Sequence, residues 1–170
     1  LLGPHKVKVL FEGSELYTES SEEVRSDIQA ATFFQVESIE ALRLQEFVIS
    51  AYLIDDLNNP MENQPVNMTF GNIKYALDTD SSGFVRKNIT LPAVHELGRY
   101  TIFWDYNGEG YYLPTTQEQT LKVMATTSIS ITMSDSDVLV GESFNFSGRI
   151  VDDMGSPLKT NLNFLFHGIY

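Results

Sequence analysis

Four residues have the D-x-D-x-S-G spacing that opens many calcium-binding loops: Asp78, Asp80, Ser82 and Gly83. Calcium requires about six or more oxygen ligands, and Ile89 stands where such a loop usually places a bidentate glutamate. A turn between two strands needs the same Asp, Ser and Gly residues for reasons of backbone geometry. The spacing therefore leaves two interpretations open, a calcium site and a plain turn.

A pair of adjacent carboxylates occurs twice, as Asp55 with Asp56 and as Asp152 with Asp153. One hypothesis is that each pair shares a cation such as calcium at a joint between successive units, which would stiffen the joint. The alternative is a solvated acidic turn ahead of a proline. Paired carboxylates that catalyse need a cleft and separated pKa values, and the sequence indicates no cleft.

Three N-x-S/T sequons begin at Asn67, Asn88 and Asn145 and are candidate N-glycosylation sites. Each asparagine is flanked in the alternating pattern by apolar residues that are expected to face inward. We therefore predict that all three side chains point to solvent.

The remaining sequence offers little for catalysis. His5, His95 and His167 are not at metal-ligand spacing, and no G-x-S-x-G, Walker or H-E-x-x-H motif occurs. We therefore predict no catalytic residue, no enzyme activity and no cofactor beyond the calcium left open above.

Composition narrows the classes of partner. The 170-residue chain has a net charge of -12 at pH 7 and no cysteine. The acidic balance disfavours nucleic acid and anionic membranes, since both bind basic surfaces, and the lack of cysteine excludes disulfides and thiolate metal sites. No apolar run approaches the ~20 residues of a membrane-spanning helix, so no direct membrane insertion of this segment is predicted.

Apolar and polar residues alternate with a period of two, as in half-buried antiparallel strands. Between turn-forming residues this pattern predicts strands at roughly 32–38, 45–54, 64–70, 73–77, 84–91, 99–106 and 117–124. The stretch 37–46 has some helical character but is predicted to be extended, because its counterpart contains Gly141 and has no helical stripe. Short strands at this density predict an all-β fold, an Ig-like two-sheet antiparallel β-sandwich, with Tyr100 in a tyrosine corner that His5 does not preserve.

The chain resembles itself at a period of about 95 residues, which indicates tandem repeats. Residues 2–13 align with 97–108, and residues 46–56 align with 143–153. We predict the C-terminal part of one Ig-like repeat at 1–29, a complete repeat at 30–125 and the N-terminal part of a further repeat at 126–170. The short polar joint at 124–127 predicts limited hinge freedom.

The last of these parts places apolar side chains on inward positions without strands to cover them: Phe144, Phe146, Ile150, Leu162, Phe164 and Phe166. Such residues need cover in solution. Either the rest of a longer polypeptide covers them, which we favour, or a neighbouring copy does so by strand exchange.

Residues 141–158 resemble the first half of bacterial and archaeal Ig-like surface repeats, and residues 80–84, 91–92, 98–100, 107–108 and 112–114 resemble the second half. The resemblance, to Big/invasin-like, S-layer or stalk repeats, implies an extracellular or cell-surface location and a structural role. The implied partners are neighbouring repeats of the same protein or identical copies in a lattice or fibre. The alternatives are an adhesin or carbohydrate-binding segment and a calcium-stiffened rod.

Overall fold

The computed structural model describes residues 1–134 and 136–163. All regular secondary structure in these residues is β-strand. The all-β class predicted from the alternation is confirmed. Phe164, Phe166 and His167, which the sequence analysis singled out, lie outside the described residues. The strands are β1 (Gly3–Phe11), β2 (Ser20–Ile28), β3 (Thr32–Gln35), β4 (Ile39–Leu42), β5 (Glu46–Asp55), β6 (Pro65–Phe70), β7 (Ile73–Asp78), β8 (Phe84–Thr90), β9 (Gly98–Tyr106), β10 (Thr115–Met124), β11 (Thr127–Met133) and β12 (Phe146–Asp152).

The strands predicted between residues 32 and 124 correspond to β3 and to β5 through β10. The additional strand β4 lies in the stretch that was predicted to be extended, and it pairs in parallel with the end of β10. Strand β3 ends earlier than predicted because the chain leaves one sheet after Gln35 and joins the other at Ile39.

Residues 30–124 form two sheets with a shared core, as expected for a β-sandwich. One sheet has the order β4-β10-β9-β6-β7 and the other the order β3-β5-β8. Alternate residues of β5 and β9 are buried between them, among them Leu53, Ile102 and Trp104. Phe34 of one sheet packs against Trp104 of the other, with ring centroids 6.1 Å apart. Burial of each large apolar side chain contributes about 1.5–3 kcal/mol, so this interface holds the sheets together.

An antiparallel strand pair lies on each side of this sandwich in the sequence. Strand β1 pairs with β2 from Gly3–Ile28 to Phe11–Ser20, and β9 pairs with β10 in the corresponding register from Gly98–Val123 to Tyr106–Thr115. In the same way, β11 pairs with β12 in a register that corresponds to that of β3 with β5. Most apolar residues of both flanking pairs, such as Val9 and Ile131, are exposed in the described structure, whereas Ile150 and Val151 are half-buried.

Candidate functional site

The two acidic turns share the hydrogen bonds from backbone amides to the first aspartate. Oδ1 of Asp55 accepts from the amides of Leu57 and Asn59 at 2.9 and 2.7 Å. Oδ1 of Asp152 accepts from the amides of Met154 and Ser156 at 3.0 and 2.8 Å. In each turn the first aspartate of the pair therefore closes the loop by binding its own backbone.

The backbone conformation of the two turns also agrees. Asn58 has φ 61° and its counterpart Gly155 has φ 78°. Leu44 and its counterpart Gly141, in a second turn, have φ 67° and 95°. The glycine positions of one unit therefore keep their loop shape in the other, although a side chain is present there.

The second acidic turn is held by Arg43, which follows β4. The guanidinium Nε lies 2.9 Å from both carboxylate oxygens of Asp153, and Nη2 also donates to Asp153 Oδ1. The same Nη2 donates to Asp152 at 3.1 Å, and Nη1 donates to the carbonyl oxygen of His95 at 3.3 Å. Bidentate pairing of this kind is the strong form of the arginine–carboxylate interaction. Arg43, Asp152 and Asp153 form what we call the joint cluster.

The joint cluster is screened from solvent, with the Arg43 side chain 6% and the Asp153 side chain 7% exposed. Hydrogen bonding to Arg43 is the main reason that the pKa of Asp153 is lowered. The same contact raises the pKa of Arg43. Both groups are therefore ionised at neutral pH, and the guanidinium supplies the positive charge that the sequence hypothesis gave to calcium.

Sequence analysis missed Arg43. The usable signal is a single basic residue between Leu42 and Leu44 in an acidic chain, because a charge in an apolar run usually has a partner. The matching pair in the central sandwich differs. Asp56 is exposed and makes no ion pair within the described residues.

The D-x-D-x-S-G segment forms a turn between β7 and β8. Oδ1 of Asp80 accepts from the amides of Ser82 and Phe84 at 2.8 and 3.1 Å, and Asp78 is the last residue of β7. Within the described residues, no group of at least three His, Cys, Asp or Glu side chains is placed to hold a metal ion. Calcium binding at these positions stays a prediction.

The three sequon asparagines differ in exposure. Asn88 on β8 and Asn145 before β12 are exposed, as predicted, and the Asn88 side-chain amide donates to Glu46 at 3.0 Å. Asn67 is only half-buried because β6 lies between β7 and β9. Asn67 alternates with the buried Val66 and Met68, so it lies on the outer face of its sheet but is less exposed than the other two asparagines.

The predicted tyrosine corner is present. The hydroxyl of Tyr100 donates to the carbonyl oxygen of Glu96 at 2.8 Å, which ties the start of β9 to the preceding loop. His5 stands at the matching position and, as predicted, supplies no tyrosine hydroxyl there, although its ring makes a contact of similar span. A ring nitrogen of His5 lies 3.0 Å from the carbonyl oxygen of Leu1, again four residues earlier.

A groove that sequence analysis did not find lies where the chain crosses from β3 to β4. Its volume is about 740 Å³. The rings of Tyr52 and Phe84 stack beside it with centroids 4.6 Å apart, and Arg86 covers Phe84 at 5.1 Å. The rest of the lining is mixed, with polar and acidic residues such as Gln35, Glu37 and Glu40 beside the apolar Val36, Ile39 and Ala51.

Comparisons with known proteins place the chain in no established family. No protein-family model and no curated protein matches it. A solved structure described as Bacteroides ovatus mixed-linkage glucan utilization locus SGBP-B, in complex with a mixed-linkage heptasaccharide, is similar over 84% of this chain, with 17% identity and a TM-score of 0.32. The chain spans 35% of that structure. At this level of similarity no property of that protein is transferred to this chain. Among the described residues, no helix has the length and apolar character to cross a membrane.

Proposed function

We propose that this chain is a segment of a tandem array of Ig-like sandwiches that acts as a structural spacer outside the cell or on its surface. In this proposal residues 1–29, 30–125 and 126–170 belong to three successive units. The units stack into a stalk, lattice element or fibre. The segment has no enzymatic role and needs no cofactor.

The observation that carries the proposal is the agreement of the Asp55 and Asp152 turns, hydrogen bond by hydrogen bond. It extends to Gly13 and Gly108. Both have positive φ, and an added Cβ would meet the backbone oxygen four residues on, at 2.9 Å from Tyr17 and 2.6 Å from Tyr112. Independent loops do not usually share such detail, whereas repeated units do. A string of similar sandwiches with short joints suits spacing better than catalysis.

The surface location is tested with antibodies raised against the folded chain. Intact cells of the organism that makes the protein should be labelled without permeabilisation. Labelling only after permeabilisation contradicts a surface role. The repeat assignment is tested separately by small-angle X-ray scattering of the chain, which should give the scattering of an elongated particle and not of a single globule.

Glycan binding is the second candidate, and the groove beside Tyr52 and Phe84 favours it. Aromatic rings next to carboxylates and hydroxyls suit a sugar, whose faces are apolar and whose edges donate hydrogen bonds. The test is a glycan array followed by titration of any hit. Tyr52→Ala should abolish binding, whereas Tyr75→Ala, at the other edge of the sandwich, should retain it. An array without hits removes this candidate and leaves the spacer role untouched.

A further inference from the structure

The joint cluster connects parts of the chain that are far apart in sequence. Arg43 follows β4, whereas Asp152 is the last residue of β12 and Asp153 the first after it, a separation of 110 positions between Arg43 and Asp153. In the proposed array, Arg43 lies at the end of the central unit that meets the following unit. The aspartates lie at the end of the following unit that meets the central one.

We propose that Arg43 is the positioning residue of this joint, and that it fixes the orientation of the following unit by capturing its paired aspartates. The inference rests on the proposed array of units and names the contact by which one unit recognises the next. The partner is defined by its chemistry, a turn with two adjacent carboxylates of which the first closes the loop.

The geometry explains why such a contact restricts rotation. A guanidinium is planar, and Nε and Nη2 along one of its edges bond Asp153 at the same time, so a tilt of either unit breaks at least one of these bonds. The contact from Nη2 to Asp152 adds a second carboxylate of the following unit, and the contact from Nη1 to the His95 carbonyl anchors the guanidinium in its own unit. Arg43 and Asp153 are almost fully buried, so a rotation that separates them before water enters leaves each charge without its partner.

The paired aspartates occur in both units, but the arginine that binds them occurs in only one. The acidic acceptor occurs in both units, as Asp55 with Asp56 and as Asp152 with Asp153. The donor does not, because Val140 stands at the position of Arg43 when Leu44 is matched with Gly141. Val140 is fully exposed and carries no charge. The stiffness of each joint therefore depends on whether the preceding unit has an arginine at the position of Arg43.

The acceptor also lies at the correct end of the central unit. Arg43 precedes β5 and Asp55 ends it, and a strand of ten residues is roughly 33 Å long. The central unit thus presents its cation at one end and its paired carboxylates at the other. This arrangement suits head-to-tail stacking rather than a symmetric dimer.

The test measures distances across the joint in the full chain. The chain contains no cysteine, so spin labels attach only at the introduced pair Glu118→Cys and Thr132→Cys, both exposed positions. Pulsed electron–electron double resonance should give a narrow distribution of distances between the two spin labels in the otherwise native chain. Arg43→Gln and Asp153→Asn should each broaden it at least twofold. Arg43→Lys, which keeps the charge but loses the fork, should broaden it too.

Asp56→Asn is the matched control, since it removes the same carboxylate from the equivalent turn of the central unit. It should leave the distribution unchanged. The single tryptophan, Trp104, is fully buried, and an unchanged fluorescence maximum shows that the central unit of each variant remains folded.

Two results overturn the proposal. The first is an equally narrow distribution in Arg43→Gln with native tryptophan fluorescence. The second is a native distribution that is narrow only with calcium and broad with a chelator, since a metal ion would then be the clamp. Either result leaves the surface role standing, and unlabelled intact cells would remove the surface role without touching the clamp.

Discussion

The indole Nε1 of Trp104 donates a hydrogen bond of 2.9 Å to the side-chain oxygen of Gln119 in the interior of the central sandwich. The amide nitrogen of Gln119 donates in turn to the carbonyl oxygens of Glu37 and Ser50, at 2.8 and 3.2 Å. Glu37 lies in the crossover from β3 to β4, and Ser50 lies on β5 of the opposite sheet. One side chain thus connects the sheets and satisfies the buried indole N–H together with two part-buried carbonyl oxygens.

Replacement of Gln119 by leucine should destabilise the sandwich strongly. The variant leaves the indole N–H and two carbonyl oxygens without their partner, and each buried group left unsatisfied costs about 1–3 kcal/mol. We expect the free energy of unfolding, measured by urea denaturation, to fall by about 3 kcal/mol. Gln117→Leu on the exposed part of the same strand is the control and should stay within about 0.5 kcal/mol of native. Equal effects of the two substitutions would mean that the network carries no stability.

The acid sensitivity of the fold should depend on Asp55. Burial is the largest single influence on this carboxyl and opposes its ionisation. The hydrogen bonds from Asn59 and Leu57 together outweigh burial, so the pKa lies below the ordinary 3.8. A carboxyl with a lowered folded pKa stabilises the protein fully above its unfolded value, and this contribution is lost as the pH falls through the folded value.

We therefore expect the free energy of unfolding of the native chain to fall as the pH drops below the ordinary carboxyl range, and that of Asp55→Asn to fall less steeply. Urea denaturation at a series of pH values measures both profiles. Parallel profiles would show that Asp55 does not contribute. At neutral pH, Asp56→Asn should change stability by less than about 0.5 kcal/mol, because this exposed carboxylate closes no turn.

The strands were predictable because alternation reports directly which residues face the core. Ile102, Trp104 and Tyr106 are buried as their spacing requires. Alternation does not report which strand lies alongside, and for this reason the sheet change between Gln35 and Ile39 was missed. A continuous extended stretch looks the same whether it stays in one sheet or crosses to another.

The joint cluster was not predictable for a related reason. The paired aspartates were recognised as a candidate cation site, but their partner lies 110 positions away. Local spacing carries no information on a contact between parts of the chain that are far apart in sequence. Asp80 illustrates the opposite case, since its hydrogen bonds reach only two and four residues ahead. The plain-turn interpretation of that segment followed from local chemistry alone.

Gly83 should be the least replaceable residue of the turn between β7 and β8. Its φ is +75°, and an added Cβ would lie 2.8 Å from the carbonyl oxygen of Leu53. The backbone of β5 cannot retreat, because the Leu53 amide donates to the Gly83 oxygen at 2.9 Å. Gly83→Ala should therefore cost about 3 kcal/mol or more, as conformational strain and steric overlap add.

Gly71→Ala is the matched control for this substitution. Gly71 has φ +59° but open space around its Cα, so only the strain of about 1–2 kcal/mol applies. Thermal unfolding of both variants measures the difference. Equal losses of stability would show that the close approach of the two backbones is unimportant.

In a host that glycosylates the chain, the occupancy of each sequon should increase with the exposure of its asparagine side chain. Asn88 and Asn145 are exposed, whereas Asn67 lies in the middle of a sheet and is only half-buried. A transferase must reach the side-chain nitrogen, so we expect glycan on Asn88 and Asn145 and little on Asn67. Glycopeptide mass spectrometry measures the occupancy of each site, and Thr90→Ala and Ser147→Ala should each remove one glycan without affecting the other. Preferential occupancy of Asn67 would contradict the order, and three bare asparagines in such a host would end the glycosylation hypothesis.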